Sequence, residues 1–313
     1  MTRALVITNP AAARTDARAV TAIRETLRSG GWTVEVRATA HPGDARRFAR
    51  EARDAGVDVI VSYGGDGTAM QIAAGIAGSD VALGVVPGGT GNLLAGNLRL
   101  PRSPEAAARV ILRARRQAID LGVVDRPDEP HYFAVCSGAG FDARLMAATP
   151  GAEKRRWKMG AYVLRALAAL PHVRNTRYRV TVDGAAHEGP AALVLIANCG
   201  ELVPPFMRLH HHVSPTDGWL DIMTLAADGM FESLAAFAEL LRGSWNGTGA
   251  AGRHLWFARG RTIRVESLGV SHQPVQLDGE VCGETPFEAR LLPGALSMLV
   301  DPDRTPGQVA GRG

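Results

Sequence analysis

The sequence predicts an α/β domain followed by a mainly β, sandwich-like domain. Three observations lead there. Runs of β-forming residues alternate with helix-period segments through residues 1–126. Two of those runs end in glycine-rich turns, at Gly64-Gly65-Asp66-Gly67-Thr68 and at Pro87-Gly88-Gly89-Thr90-Gly91-Asn92. Over residues 127–300 the pattern changes to short strand-like runs between Gly, Pro and Asp turns, and residues 301–313 read as a disordered tail.

Each element has a local reason. Residues 4–8 read as a first strand running into Asn9-Pro10, a pair that ends strands. Asp16 is placed to cap a helix whose Val20, Ile23 and Leu27 share a face, and Gly30-Gly31 stop it. Residues 32–38 alternate like a strand, and Asp44 is expected to cap the next helix, with Phe48, Ala49 and Ala52 inward. The runs 57–61 and 81–86 carry the two glycine turns, with an apolar helical segment between them. A helix after Pro104 puts Ala107, Val110, Ile111 and Ala114 on one face and its arginines mostly on the other. Residues 117–124 read as a strand, and the proline-bounded polar segment 125–130 as the domain boundary.

In the second domain the runs are 132–136, 177–182, 191–197, 219–225, 254–258, 262–266, 275–277 and 287–291, with a closing strand at 295–300. Helices are expected at 154–170 and 230–241.

Composition narrows the function. A chain of 313 residues, 46% of them hydrophobic, can bury a sizeable core. No apolar run approaches the ~18 residues of a membrane span, and the N-terminus lacks a signal-peptide core, so a cytoplasmic protein is expected. Cys136, Cys199 and Cys282 are widely spaced and suggest neither a disulfide framework nor a zinc site. A dispersed net charge of +4 without an aromatic-interleaved basic stripe argues against nucleic acid. Lysine occurs only at Lys154 and Lys158, which excludes a GxxxxGK[ST] loop and a protein-kinase β3 lysine. Any phosphate held here is held by backbone, Thr, Asn or Arg.

The glycine turns supply that backbone. Glycines at strand ends leave N–H groups facing a ligand, and the following helix N-termini favour negative charge. Two such turns on adjacent parallel strands would form a phosphate cradle, to which Asp66 adds a carboxylate that a plain turn does not need. Neither turn satisfies G-x-G-x-x-G, which argues against a Rossmann dehydrogenase.

GGDGT followed by PGGTGN resembles the catalytic domain of diacylglycerol kinases and their bacterial lipid-kinase and sphingosine-kinase-like relatives, over nearly the whole chain. The resemblance implies a NAD kinase/diacylglycerol kinase-like fold that uses ATP and Mg2+ to phosphorylate a lipid hydroxyl. It places the nucleotide on Asn9, Thr39, Gly64, Gly65, Asp66, Gly67, Thr68, Gly88, Gly89, Thr90, Gly91 and Asn92, with Asp66 acting through a catalytic magnesium or on the phosphates. The chain departs from the family in having Met70 and Gln71 where Asn-Glu is common, and residues 11–14 where Ser-Gly usually follows Asn-Pro.

The resemblance continues in the second domain. Ser137-Gly138-Ala139-Gly140-Phe141-Asp142 resembles a Gly-x-Gly-Phe-Asp segment, where the glycines argue for a tight turn and Asp142 orients a donor or caps a helix. Residues 213–221 resemble a turn that holds a structural magnesium through the Asp217 carboxylate and the Ser214 and Trp219 carbonyls. Glu280, in Asp278-Gly279-Glu280, takes the part of the base that accepts the hydroxyl proton. His210-His211-His212 departs from the family's glycines; consecutive strand residues face opposite ways, so the three cannot share one ion.

Residues 153–165 combine a cluster of four basic side chains, Lys154, Arg155, Arg156 and Lys158, with Trp157 and Tyr162, which suits either peripheral contact with an anionic membrane surface or a core-packed helix with a solvated start. Homodimerisation is left open. The rival readings are a NAD kinase or other small-molecule kinase sharing GGDGT, and a non-catalytic nucleotide or lipid sensor. Among acceptors, diacylglycerol, sphingoid bases and ceramide are indistinguishable in the sequence.

Overall fold

The computed structural model describes residues 1–127, 129–141, 143–144, 168–203, 207–209, 213–246, 252–269 and 272–303. Asp142, His210 to His212 and residues 153–165 therefore lie outside the described residues. The chain divides into two compact units, the first made of Met1–Asp120 and the chain from Pro293, the second of Leu121–Leu292.

Unit 1 alternates strands and helices: β1 (Arg3–Thr8), α1 (Ala17–Ser29), β2 (Thr33–Ala38), α2 (Asp44–Asp54), β3 (Val59–Gly64), α3 (Asp66–Ile76), β4 (Ala82–Pro87), α4 (Leu93–Asn97), α5 (Pro104–Arg113) and the start of β5 (Arg115–Val124). The strands run in the order β2-β1-β3-β4, all parallel. Every residue of β3 and β4 is buried, as expected for parallel strands covered on both faces. Ala4, Val6, Val59, Val61 and Tyr63 meet Ile23 and Leu27 of α1 and Ala107, Ala108 and Ile111 of α5 in one core.

Unit 2 contains β6 (His131–Phe133), β7 (Cys136–Gly140), β8 (Thr176–Val182), β9 (Ala185–Ala191), β10 (Leu193–Ala197), β11 (Glu201–Val203), β12 (Met207–Arg208), β13 (Leu220–Leu225), α6 (Gly229–Asn246), β14 (Leu255–Gly260), β15 (Thr262–Ser267), β16 (Pro274–Leu277), β17 (Glu280–Glu284) and most of β18 (Phe287–Val300). One sheet runs β18-β15-β8-β9 and the other β14-β13-β10-β7-β16-β17. Side chains at alternate positions fill the space between them: Tyr178 and Val180, Ile263 and Val265, and Phe287, Ala289 and Leu291 from the first, Val194 and Ile196, and Leu220 and Ile222 from the second. This is the β sandwich-like domain that the turn-bounded runs predict.

β18 joins both units. It pairs antiparallel with β15 through Phe287 to Arg290, then parallel with β4 at Ser297 and Met298. The expected runs 287–291 and 295–300 are thus one strand, bent at Gly294 (φ +60), whose N–H donates to the buried Asp120 carboxylate at 2.8 Å. The polar segment 125–130 lies inside unit 2.

Three local expectations are corrected. Asp44 does not cap α2: Gly43 holds that position, while the Asp44 carboxylate accepts N–H bonds from Ala40 and His41 and closes the preceding loop. The Arg47 guanidinium and those two N–H groups hold its carboxyl far below the usual carboxylate range. Second, Ser137 to Gly140 form no tight turn but the buried strand β7, between β10 and β16. Third, β9 and β17 are strands that the sequence pattern does not show.

Gly122 faces Phe133 across β5 and β6, and a Cβ there would lie 2.0 Å from the buried ring. We expect Gly122→Ala to cost about 1–3 kcal/mol and to lower the thermal midpoint by roughly 4–10 °C. An unchanged melting curve would show that the ring moves aside freely.

Candidate active site

In unit 1 the expected nucleotide residues collect at one edge of the sheet. The last paired residues are Thr8 with Ala38 and Tyr63, and Gly64 with Pro87, so Asn9, Thr39, Gly65 and Gly88 all follow the carboxyl ends of parallel strands. That is where open α/β sheets bind ligands. β1 also lies between β2 and β3, which places Asn9 at the point where the strand order reverses.

The two glycine turns pack backbone against backbone. Gly88 N–H donates to the Gly64 carbonyl at 2.7 Å, and a Cβ on Gly89 would sit 2.6 Å from the Cα of Gly65. A Cβ on Gly64 would meet Thr68 Oγ1 at 2.6 Å, which explains why only hydrogen is accommodated there. Asn9 joins this cluster from β1: its N–H donates to the Tyr63 carbonyl, and its Nδ2 donates to Thr68 Oγ1 at 3.3 Å.

Asn92 closes the second turn on itself. Its Oδ1 accepts the Gly89 N–H at 2.9 Å and its Nδ2 donates to the Gly89 carbonyl at 2.8 Å, with the backbone at φ +50. Thr39 N–H donates to the Thr8 carbonyl, which fixes it beside Asn9; its side chain is half-buried. Gly67 is half-buried in the first turn of α3, Thr90 is half-buried, and Gly91 is exposed.

Asp66 ties the turns together. As the first residue of α3 it reaches the start of α4, where its Oδ1 accepts the Leu94 N–H at 3.1 Å. Burial raises its pKa above the ordinary 3.8, and N–H groups of Leu93, Leu94 and Asn92 pull the other way. The N-terminus of α4 therefore already holds an anion, and because the Gly88 and Gly89 N–H groups are bonded to the Gly64 carbonyl and Asn92 Oδ1, a ligand at the second turn would have to use the amides of Thr90 and Gly91. Of the two departures in α3, Met70 is buried against the core and Gln71 is half-buried.

Sequence reasoning missed Arg14 and Thr15. The Arg14 N–H donates to the Gly88 carbonyl, the Tyr63 hydroxyl donates to the Arg14 carbonyl, and Thr15 Cγ2 would meet a Cβ on Gly88 at 2.7 Å. Both residues act by folding the 9–15 loop onto the second turn, for which no motif exists.

In unit 2, Glu280 follows a two-residue turn with positive φ at Asp278 (+46) and Gly279 (+87), the primed geometry of tight hairpins. The turn is anchored. Buried Asp278 accepts N–H bonds from Ala134, Val135 and Cys136 at 2.8–3.0 Å, and Gln276 Oε1 accepts the Gly279 N–H. The Glu280 side chain is exposed and makes no hydrogen bond or ion pair among the described residues. A rigid turn thus presents an unencumbered carboxylate.

The 214–219 turn has the oxygens a hard cation needs, one carboxylate and the Ser214 and Trp219 carbonyls. Its carboxylate is already engaged: Asp217 Oδ1 accepts the Trp219 N–H at 3.0 Å, and Oδ2 pairs with Arg259 at 3.1 Å. A cation that took this carboxylate would have to displace the Arg259 guanidinium. Among the described residues no group of three or more His, Cys, Asp and Glu side chains is placed to hold a metal. A cavity of about 160 Å3 in unit 2, lined by Tyr178, His187, Thr224, His254 and Trp256, contains none of the expected site residues.

The chain thus combines a parallel α/β sheet carrying a glycine cradle with a β sandwich-like domain that has a carboxylate on a tight turn. Comparison with known proteins names the family: a model of the diacylglycerol kinase catalytic domain matches residues 3–124, and one of the YegS C-terminal NAD kinase beta sandwich-like domain matches residues 135–300. The chain belongs to this lipid and diacylglycerol kinase family. It is 30% identical over 281 residues to a probable lipid kinase YegS-like protein of Chromohalobacter salexigens, covering 87% of this chain and 85% of the relative. It is 30% identical over 293 residues to a diacylglycerol kinase of Bacillus subtilis, covering 92% and 93%. The crystal structure of a putative diacylglycerol kinase from Bacillus anthracis shares the fold, with a TM-score of 0.78 over 96% of this chain and 98% of that one, at 24% identity.

The raised pKa of Asp66 sets a pH dependence. An ionised carboxylate whose folded pKa lies above its unfolded value costs stability at neutral pH, and the cost fades as pH falls through the folded pKa toward 3.8. Relative to Asp66→Asn, the wild type should therefore gain stability in chemical denaturation as the pH is lowered from neutral toward 3.8. A relative loss over that interval would reverse the sign.

Proposed function

We propose that this chain is an ATP-dependent lipid kinase that transfers the γ-phosphoryl group of ATP to a lipid hydroxyl, with diacylglycerol as the leading acceptor. The observation that carries the reading is the lysine-free backbone cradle at the carboxyl ends of four parallel strands. The triphosphate would lie against the backbone of Gly64 to Thr68 and of Gly88 to Gly91, with Asn9, Thr39, Thr90 and Asn92 shaping the pocket. Asp66 would hold the second turn in register by filling the start of α4.

Glu280 would take the proton of the acceptor hydroxyl as the new oxygen–phosphorus bond forms. The bond from the γ-phosphorus to the bridging oxygen breaks, and ADP leaves with that electron pair. Magnesium bound with the nucleotide would neutralise phosphate charge, and Asp217 with the Ser214 and Trp219 carbonyls would hold a structural ion in exchange for Arg259.

Two variants test the parts separately. Glu280→Gln should fold and bind ATP normally but lose about 10²–10⁴-fold in turnover with labelled ATP and diacylglycerol; wild-type turnover would remove Glu280 as the base. Gly89→Ala forces the turns apart at Gly65 and should weaken ATP binding by tenfold or more in calorimetry, about 1.4 kcal/mol. Unchanged affinity would place the phosphates elsewhere. Offering NAD, sphingoid bases and ceramide beside diacylglycerol separates the acceptors, and phosphorylation of NAD alone would install the rival kinase.

A further inference from the structure

Strand β17 begins with Glu280 and has little packing to hold it. It lies at the edge of its sheet, paired with β16 alone among the described residues, and within it only Cys282 is half-buried while the rest are exposed. Its register also breaks. Leu277 pairs with Glu280 and Gln276 with Val281, but Pro274 pairs with Glu284, so Val275 on β16 stands opposite two residues, Cys282 and Gly283. The extra residue makes a β-bulge, with Gly283 at φ +73, a conformation open to glycine at no steric cost. A bulge bends the strand, increases its twist and leaves part of its backbone without a ladder partner. One side chain takes up that backbone. Arg126 donates from Nη2 to the Cys282 carbonyl at 2.8 Å and from Nη1 to the Glu284 carbonyl at 3.1 Å, one on each side of the bulged glycine. A Cβ on Gly283 would lie 3.0 Å from Arg126 Cζ, so the guanidinium rests directly against the glycine backbone.

We infer that Arg126 is a positioning residue for Glu280: it clamps the bulge of β17 and so sets the direction in which the carboxylate leaves the strand. The inference rests on the kinase reading, in which Glu280 takes the acceptor proton. A single residue, Val281, separates Glu280 from the bulge, and bulges re-aim the side chains beside them. The turn before Glu280 is held by Asp278 and Gln276. The strand after it has only the β16 ladder, which is interrupted at this point, and Arg126. The arginine is itself well founded. It follows β5, whose Gly122, Val123 and Val124 pair with β6, and the Asp125 carboxylate beside it forms an ion pair with Arg290 of β18. Arg126 therefore ties the edge strand of one sheet to the end of a strand of the other. The residue type suits the task. A guanidinium stays charged at any working pH and offers its donors in one rigid plane, which lets it bridge two carbonyls, whereas lysine offers a compact charge on a flexible stem.

The test uses the full chain with labelled ATP and diacylglycerol. Arg126→Met keeps a long stem and removes both donors; it should lower kcat about 10–100-fold while KM for ATP stays within about twofold of the wild type. Arg126→Lys should recover part of that loss, and amide exchange at Val281 to Glu284 should quicken about tenfold or more in the Met variant. In a Glu280→Gln background Arg126→Met should add no further loss, because a residue that acts through the carboxylate then has nothing to position. Wild-type kcat in Arg126→Met would overturn the inference, and so would an equal further loss on top of Glu280→Gln. If Arg126→Met does not fold, Arg126→Lys and Gly283→Ala, whose Cβ would press on the guanidinium, carry the same comparison. Wild-type turnover in Glu280→Gln would strike the base assignment itself, whereas a defective Glu280→Gln beside a fully active Arg126→Met would strike the Arg126 inference alone. Absence of turnover in the wild type would strike the kinase reading, and unchanged amide exchange in Arg126→Met would strike the clamp.

Discussion

The unit 1 site depends on one close approach, the backbone of Gly65 against the backbone of Gly89. β3 and β4 are paired to their last residues, so the chain leaves both strands at the same height and in adjacent positions. Two turns leaving together have to share the space above the sheet edge. Hydrogen in place of a side chain at Gly64, Gly88 and Gly89 lets them share it. A larger residue at Gly89 would have to push backbone, which cannot rotate away as a flexible side chain can.

Asp66 converts that proximity into a fixed shape. Its carboxylate links the start of α3 to the start of α4, so the loop between β4 and α4 is held at both ends, by Gly88 N–H on Gly64 and by Leu94 N–H on Asp66. The arrangement places one negative charge beside a surface that, in the proposed function, receives several more. Unit 2 solves the complementary problem in the same manner. Asp278 spends its carboxylate on three backbone amides, which leaves the next acid, Glu280, on an anchored turn.

Much of this was legible in the residues. The strands that carry the site are continuous apolar runs ended by glycine, and the sandwich strands alternate with period two, so both patterns declare themselves locally. β9 does not, because Ala-Ala-His-Glu-Gly-Pro-Ala is exposed at nearly every position and buries no face. β17 is similar, with its polar side chains in solvent. Asp44 carries a helix-cap signal, yet the positive φ of Gly43 (+87) turns the chain so that the carboxylate serves the loop behind it. Ser137 to Gly140 look like a turn because of their glycines, whereas Gly140 is small because the Ala192 carbonyl leaves no room for a Cβ. Partners distant in the chain were out of reach: Leu94 lies 28 residues from Asp66, and Cys136 lies 142 from Asp278.

The double membership of β18 has a consequence for how the molecule is made. Its last residues complete the sheet of unit 1 beside β4, although more than half of the chain separates them from the rest of that sheet. During synthesis the first unit to emerge from the ribosome is the one that must wait, with β4 lacking its neighbour until the final strand arrives. The intervening sandwich, built wholly from consecutive residues, is free to finish first.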